Sequence, residues 1–341
     1  MRIPSNTKTA RFKRLIKHLA GTLAILFVLM NTVAALHAYR FTHFSTDTTG
    51  TQTSAKRLST AGKLRTLLTG IDNPRPVNAT RPSGYYTTLH IQSNKMLECW
   101  YREADLPAGT IHSKVTGGAP DVSRGTVILF HGYGGEKSSL IDKADEFLRL
   151  GYNTLLVDFM GSGGSEGDQT TIGFKEAEEV KSCFDYIDSA GGKPIYLFGT
   201  SMGAVAILKA LHDTPFHPAG IIIECPFGTL YETVCARFRT LGVPAFPMAG
   251  LLTAWGGIEN GFSAFQFEPI RYAESVDCPC LLLYGEKDEK VSRREIDGIY
   301  GRLRGKKELR TYPLAAHENY LLRYRQDWIK DVGKFLQDAD R

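Results

Sequence analysis

The sequence predicts an α/β chain with a mostly parallel sheet of about eight strands and helices on both faces. Three observations support this. From residue 85 onward, short aliphatic or β-branched runs alternate with longer amphipathic ones, the pattern of repeated strand–helix–strand units. Several of the short runs are apolar without interruption, as expected of strands buried on both faces. Distinctive polar residues (His131, Asp158, Ser201 and Asp288) stand just past the ends of such runs, where open α/β sheets meet their ligands.

Taken in order, "YYTTLHI" and "MLECWYREA" read as an opening pair of strands with period-two character. "GTVILFHG" (125–132) is a buried strand. "SSLIDKADEFLRLG" is a helix with Leu140, Ala144, Phe147 and Leu148 on one side and Gly151 as its stop. "YNTLLVDF" is the next strand and "GFKEAEEVKSCFDYIDSAGG" the next helix. "PIYLFG" (194–199) leads through Ser201 into the helix "MGAVAILKALHD", and "AGIIIECP", "CPCLLLYGE" and "KELRTYP" supply three more strands. A helix over "NYLLRYRQDWIKDVGKFL" closes the chain.

Of 341 residues, 43% are hydrophobic and 23% charged, ordinary values for a globular protein with a substantial core. The net charge of +5 is concentrated at one end. Arg2, Lys8, Arg11, Lys13, Arg14 and Lys17 precede residue 18 with no acidic residue among them. Without those six, the remaining chain carries about −1, no basic excess with which to neutralise phosphates, so nucleic acid is excluded as a partner.

The basic lead (1–18) runs into residues 19–38, "LAGTLAILFVLMNTVAALHA", which carry no Lys, Arg, Asp or Glu. About 20 residues at 1.5 Å each span a bilayer's hydrocarbon core. The 19–39 segment reads as an uncleaved signal anchor or a cleavable signal peptide, with small residues suited to cleavage around Val33–Ala35 and Leu36–Ala38. The length of the run favours the anchor. In both readings the basic end stays cytoplasmic and the remainder is exported. Residues 40–82, rich in Thr and Ser and closed by Pro, read as a tether with a short helix near Lys56–Leu68. Asn78-Ala79-Thr80 within it matches a glycosylation sequon. The folded body is expected over 83–341.

Six cysteines are too few for a disulfide scaffold and allow 15 pairings. Cys278 and Cys280 form a C-x-C pair with no partner cluster at metal-ligand spacing, so buried thiols are expected, and the motifs call for no cofactor or metal.

"FGTSMGAVA" (198–206) sets one serine between two glycines where strand gives way to helix. A serine hydroxyl needs a base to take its proton and a partner to fix that base's tautomer. It also needs donors aimed at the oxyanion. Gly199 and Gly203 would permit a sharp turn, and the Met202 N–H, at the helix start, would face the oxyanion with help from the helix dipole. "HGYGG" (131–135) after the "VILF" strand offers Tyr133 N–H as the second donor. For the acid, Asp288 in "YGEKDEKV" is preferred over Glu286 and Glu224, because Gly285 frees the loop and a helix follows. For the base, His317 in "YPLAAHENYLL" lies between the last strand and the last helix.

With HGYGG, GTSMG, GEKDEKV and AAHENY in this order, residues 85–338 resemble the α/β-hydrolase superfamily. "DFMGSGGSEG" (158–167) is similar to a segment of its serine aminopeptidase-like and lysophospholipase-like members. The resemblance implies Ser201 as nucleophile, His317 as base, Asp288 as its partner, and Tyr133 and Met202 as oxyanion donors. It implies that Asp158 and the glycines after it shape a loop beside the site. Residues 227–276, rich in Phe, Leu, Ala, Pro and Gly, fall where the superfamily places its cap. A short apolar insert suits an acyl or alkyl group and leaves the site fairly open.

The expected function is hydrolysis of carboxylic esters, lipid-derived ones among them given the anchor, through a Ser-His-Asp triad and an acyl-enzyme. A serine aminopeptidase-type peptidase is the alternative, although no acidic group to hold a free amine can be placed. A binding protein that kept the fold without turnover is the alternative of another class. Oligomeric state is not legible.

Overall fold

The computed structural model describes residues 7–45, 65, 68–104 and 123–339. The short helix expected near Lys56–Leu68 lies outside these save for Arg65 and Leu68. Eight strands form one sheet: β1 (Thr87–Gln92), β2 (Met96–Arg102), β3 (Thr126–Phe130), β4 (Asn153–Val157), β5 (Ile195–Thr200), β6 (Gly220–Glu224), β7 (Cys280–Gly285) and β8 (Lys307–Tyr312). Their spatial order is β1-β2-β4-β3-β5-β6-β7-β8. β1 pairs antiparallel with β2 and β2 with β4, while every later pairing is parallel. The predicted eight strands are all present, and the opening pair forms the antiparallel edge.

The helices are α1 (Thr7–Thr42), α2 (Ile141–Arg149), α3 (Glu176–Ser189), α4 (Met202–Asp213), α5 (Leu230–Thr240), α6 (Met248–Asn260), α7 (Pro269–Tyr272), α8 (Arg293–Arg302), α9 (Tyr320–Arg323) and α10 (Arg325–Ala339). Both faces of the central strands are covered, which is why those strands read as unbroken apolar runs. Ile128 and Phe130 of β3 face one core with Val180, Phe184 and Ile187 of α3 and with the apolar residues of α4. Val127 and Leu129 face the other, with Phe147 of α2 and Trp328, Val332 and Phe335 of α10. Each such side chain, fully buried, stabilises the fold by about 1.5–3 kcal/mol before entropy is counted.

α1 departs from expectation in extent. It is one helix of 36 residues, running back into the basic lead and forward past residue 39, because no Pro or Gly cluster stops it. Its length and composition would let it cross a membrane, and a signal sequence passes the same test. From residue 11 to 29 it is exposed on every side, Leu23, Ile25, Phe27 and Val28 included, whereas Ala34 and Ala38 are buried.

The described parts of the 40–82 stretch are seated on the body. Arg75 Nη1 donates to Gly163 O at 2.9 Å and Arg75 Nη2 to Ser165 O. Asn78 Nδ2 donates to Asp158 Oδ2 at 3.0 Å and Asn78 Oδ1 accepts from Ser138 N. The sequon asparagine thus spends its amide inside the protein. All six cysteines are free, and only Cys235 is not buried.

Candidate active site

The site begins at the β5–α4 turn. Ser201 has φ +53° and ψ −108°, a backbone that a non-glycine residue adopts only when its surroundings enforce it. The flanking glycines make the turn fit. A Cβ on Gly199 would lie 2.6 Å from Ala204 N, and one on Gly203 would lie 2.4 Å from Phe130 O. Both approaches are to backbone, so a side chain cannot be accommodated by a rotamer change. Bare backbone therefore lets α4 press against β3 and β5 while Ser201 projects from the strand's carboxyl end. Its own N–H is held by Glu224 O at 2.8 Å.

His317 comes from the loop between β8 and α9. Its Nε2 lies 3.1 Å from Ser201 Oγ, and its Nδ1 lies 2.7 Å from Asp288 Oδ2. That loop is held close by Gly285 at the end of β7, where a Cβ would come within 2.5 Å of Ala315 O and 2.6 Å of Ala316 O. Lys287 N also donates to Ala315 O at 2.9 Å. Asn319 pins the far side: its Oδ1 accepts from Lys143 Nζ at 2.8 Å and its Nδ2 donates to Asp142 Oδ2 at 2.7 Å, both on α2.

The side chain of Asp288 is fully buried, and its Oδ1 accepts the N–H groups of Lys290 and Val291 at 2.8 and 2.9 Å. Those two bonds orient the carboxylate so that Oδ2 faces the imidazole. The rival acids are engaged elsewhere. Glu224 is buried and holds Trp328 Nε1 at 2.8 Å and Thr200 Oγ1 at 3.0 Å. Glu286 accepts from Thr311 Oγ1 at 2.8 Å.

The expected donors flank the serine. Met202 opens α4, so its N–H has no partner within the helix. The HGYGG loop lies directly opposite, since a Cβ on Gly132 would stand 3.6 Å from Ser201 Cβ; Tyr133 is the next residue. The Tyr133 ring stacks on Phe41 at 4.6 Å, and its hydroxyl donates to Phe41 O at 2.7 Å. Arg237 of α5 covers the Phe41 ring at 4.0 Å. The end of α1 and the first helix of the 227–276 insert thus both reach the loop beside the site.

Two other expected residues stabilise the site without facing it. His131 is buried; its Nδ1–H donates to Gly132 O at 2.8 Å and its Nε2 accepts from Phe159 N at 3.2 Å. Burial lowers its pKa, so it stays neutral. Asp158 is buried against the Lys137 ammonium and accepts from Lys137 N at 2.7 Å and Gly164 N at 2.8 Å. Burial works to raise its pKa, but Lys137 outweighs that and holds it below the usual value. A Cβ on Gly163 would overlap the Asp158 carboxylate, so the glycine run after Asp158 is what allows the loop to wrap it.

One residue was missed. Cys225, just past β6, has φ +41°, and its sulfur, an Asp288 oxygen and a His317 ring nitrogen lie within 4.8 Å of one another. In the sequence it reads only as one more buried thiol; its place one residue past the end of a sheet strand is the signal that could mark it. Burial disfavours the imidazolium of His317, but the Cys225 sulfur and the Asp288 carboxylate outweigh it and push its pKa up to about 10.

Comparisons with known proteins agree with this architecture. A family model described as serine aminopeptidase, S33, matches residues 121–255. The chain is 25% identical over 226 residues to the uncharacterized protein YqkD of Bacillus subtilis (strain 168), an alignment covering 65% of this chain and 74% of that one. It is 27% identical over 152 residues to the lysophosphatidylserine lipase ABHD12 of Danio rerio, covering 42% of this chain and 37% of that one. The structure of the Pyrococcus furiosus esterase Pf2001 superposes with a TM-score of 0.62 at 22% identity, over 80% of this chain and 100% of that one. With the eight-stranded sheet and the strand-end motifs in their expected order, these likenesses support an α/β-hydrolase superfamily member and show that fold.

Proposed function

We propose that this chain is a membrane-anchored serine hydrolase that cleaves carboxylic esters, with Ser201, His317 and Asp288 as its catalytic triad. The observation that carries this reading is the continuous hydrogen-bonded path from Ser201 Oγ through His317 to Asp288, at 3.1 and 2.7 Å. Ser201 Oγ attacks the ester carbonyl as His317 Nε2 takes its proton. Asp288 keeps the Nδ1–H tautomer and stabilises the imidazolium. The Tyr133 and Met202 N–H groups receive the oxyanion. His317 then hands its proton to the leaving alcohol, releasing it and leaving an acyl-Ser201. A water molecule, deprotonated by the same imidazole, hydrolyses the acyl-enzyme and restores the serine. No metal or cofactor is needed for these steps.

Lipid-derived esters are the preferred substrates, supported by the apolar α1 and by the lipase name carried by the ABHD12 relative. The basic lead stays cytoplasmic and the body over 83–341 stands on the other side, with residues 227–276 as its cap. The S33 description of the family model keeps a peptidase as a second reading. A fluorophosphonate probe that labels the full chain but not Ser201→Ala supports the enzyme; no labelling of the folded protein favours a binding role. p-Nitrophenyl esters of increasing acyl length, run beside aminoacyl-anilides, separate the two activities. Hydrolysis of the anilides alone would reverse the ranking.

A further inference from the structure

α1 does not stand clear of the body. It packs along α6, and Trp255 Nε1 of α6 donates to Asn31 Oδ1 of α1 at 3.1 Å. Asn31 lies seven residues, about 10 Å, inside the end of the uncharged 19–38 run. Exposure falls from residue 30 onward, and Ala34 and Ala38, one turn apart, are buried. Small residues at that spacing let two helices approach closely.

The uncharged part of α1 that is exposed on every side is therefore 18–29, bounded by Lys17 on one side and by the start of the α6 contact on the other. That stretch is about 18 Å long, well short of the roughly 30 Å hydrocarbon thickness of a bilayer. If α1 crosses a membrane, α6 must enter the membrane with it.

The composition of α6 and of the turn before it suits that location. Residues 240–258 carry no Asp, Glu, Lys or Arg, a second long uncharged run beside the first. The α5–α6 hairpin is rooted in the core at both ends: Leu230 N donates to Phe267 O at 3.1 Å, and Phe262 stacks on Phe174 at 4.1 Å. Between its roots it exposes Leu241, Val243, Phe246 and Ile258, with Phe246 86% exposed. Arg237 and Arg239, in the last turn of α5, precede the uncharged run, as basic residues flank a buried apolar segment at a membrane interface.

We infer that the α5–α6 hairpin is a membrane wedge, its 240–258 run embedded in the leaflet beside α1, so that the site at Tyr133 and Ser201 faces amphiphiles resident in the bilayer. The inference rests on α1 being an anchor, as proposed above. It also narrows the substrate class, to esters whose apolar part stays in the leaflet while the scissile group reaches the interface. The coupling runs through Tyr133, which touches Phe41 of α1 while Arg237 of α5 covers that ring.

The test uses the full chain in phosphatidylcholine vesicles. An environment-sensitive fluorophore is attached at Phe246→Cys, at Ile25→Cys on α1, and at Lys193→Cys at the opposite end of the sheet, each in a Cys235→Ser background. Quenching is compared between lipids brominated on the acyl chains and aqueous iodide. The wedge requires loss of fluorescence to bromolipid at 25 and at 246, and loss to iodide at 193. Quenching by bromolipid at 25 but not at 246 overturns the wedge and leaves the anchor standing. Bromolipid quenching at neither position overturns both. Protection of 246 from iodide without bromolipid quenching also overturns it, identifying a protein partner such as a second copy as the cover.

Discussion

Gly203→Ala is the perturbation whose consequence can be worked most directly from the structure. The new methyl would stand 2.4 Å from Phe130 O, 2.8 Å from Phe130 C and 2.9 Å from His131 O. Ordinary contact begins near 3.4 Å, so α4 and the end of β3 must separate by about 1 Å. Neither can yield alone, since both are main chain within a packed core. Overpacking of this kind costs about 1–3 kcal/mol, a fall in Tm of several degrees. The catalytic cost should be larger, because the two expected oxyanion donors sit on the two parts being forced apart: Met202 begins α4 and Tyr133 follows β3. A misplacement of about 1 Å costs on the order of 10²-fold in rate. The assay pairs a thermal melt with kcat/KM on a short-chain p-nitrophenyl ester. Gly301→Ala in α8, where a Cβ meets nothing within 4 Å, is the control and should leave both readings near wild type. A Gly203→Ala protein with wild-type Tm and wild-type kcat/KM would refute the close-approach reasoning.

Asp288→Asn should lower kcat by about 10³–10⁴-fold while the protein still folds, since the wrong imidazole tautomer would face Ser201; steady-state kinetics beside circular dichroism check it. The base must be neutral to accept the serine proton, so kcat/KM should rise with pH through an acid limb lying above the ordinary histidine value of 6.5, in the direction that Cys225 and Asp288 push His317. Cys225→Ala removes one of those influences and should move the limb toward lower pH; an unmoved limb in a full pH–rate profile counts against the thiol's role. Lys137→Met would leave the buried Asp158 carboxylate without its cation, and breaking such a pair costs about 3–5 kcal/mol; denaturant unfolding should show the loss without a change in which side chains bind the fluorophosphonate probe.

The alternation of apolar strands and amphipathic helices was enough to specify the sheet, because strands buried on both faces must read as continuous apolar runs and there is little else such runs can do. The strand-end positions of Ser201, Asp288 and His317 were legible for a related reason: chain order in a parallel sheet determines which end of each strand a loop occupies. The sequence could not show that Asn78 and Arg75, in a stretch that reads as a tether, are spent on the loop around Asp158, nor that Cys225 shares the imidazole's surroundings. Those contacts join residues tens of positions apart, and local composition carries no record of which distant partner satisfies a polar group. The same holds for the two uncharged runs at 19–38 and 240–258. Each was visible alone, one as an anchor or signal segment and the other as part of an apolar insert. Only tertiary packing, with Trp255 against Asn31, makes them neighbours, because helix pairing depends on surfaces that exist only once the chain has folded.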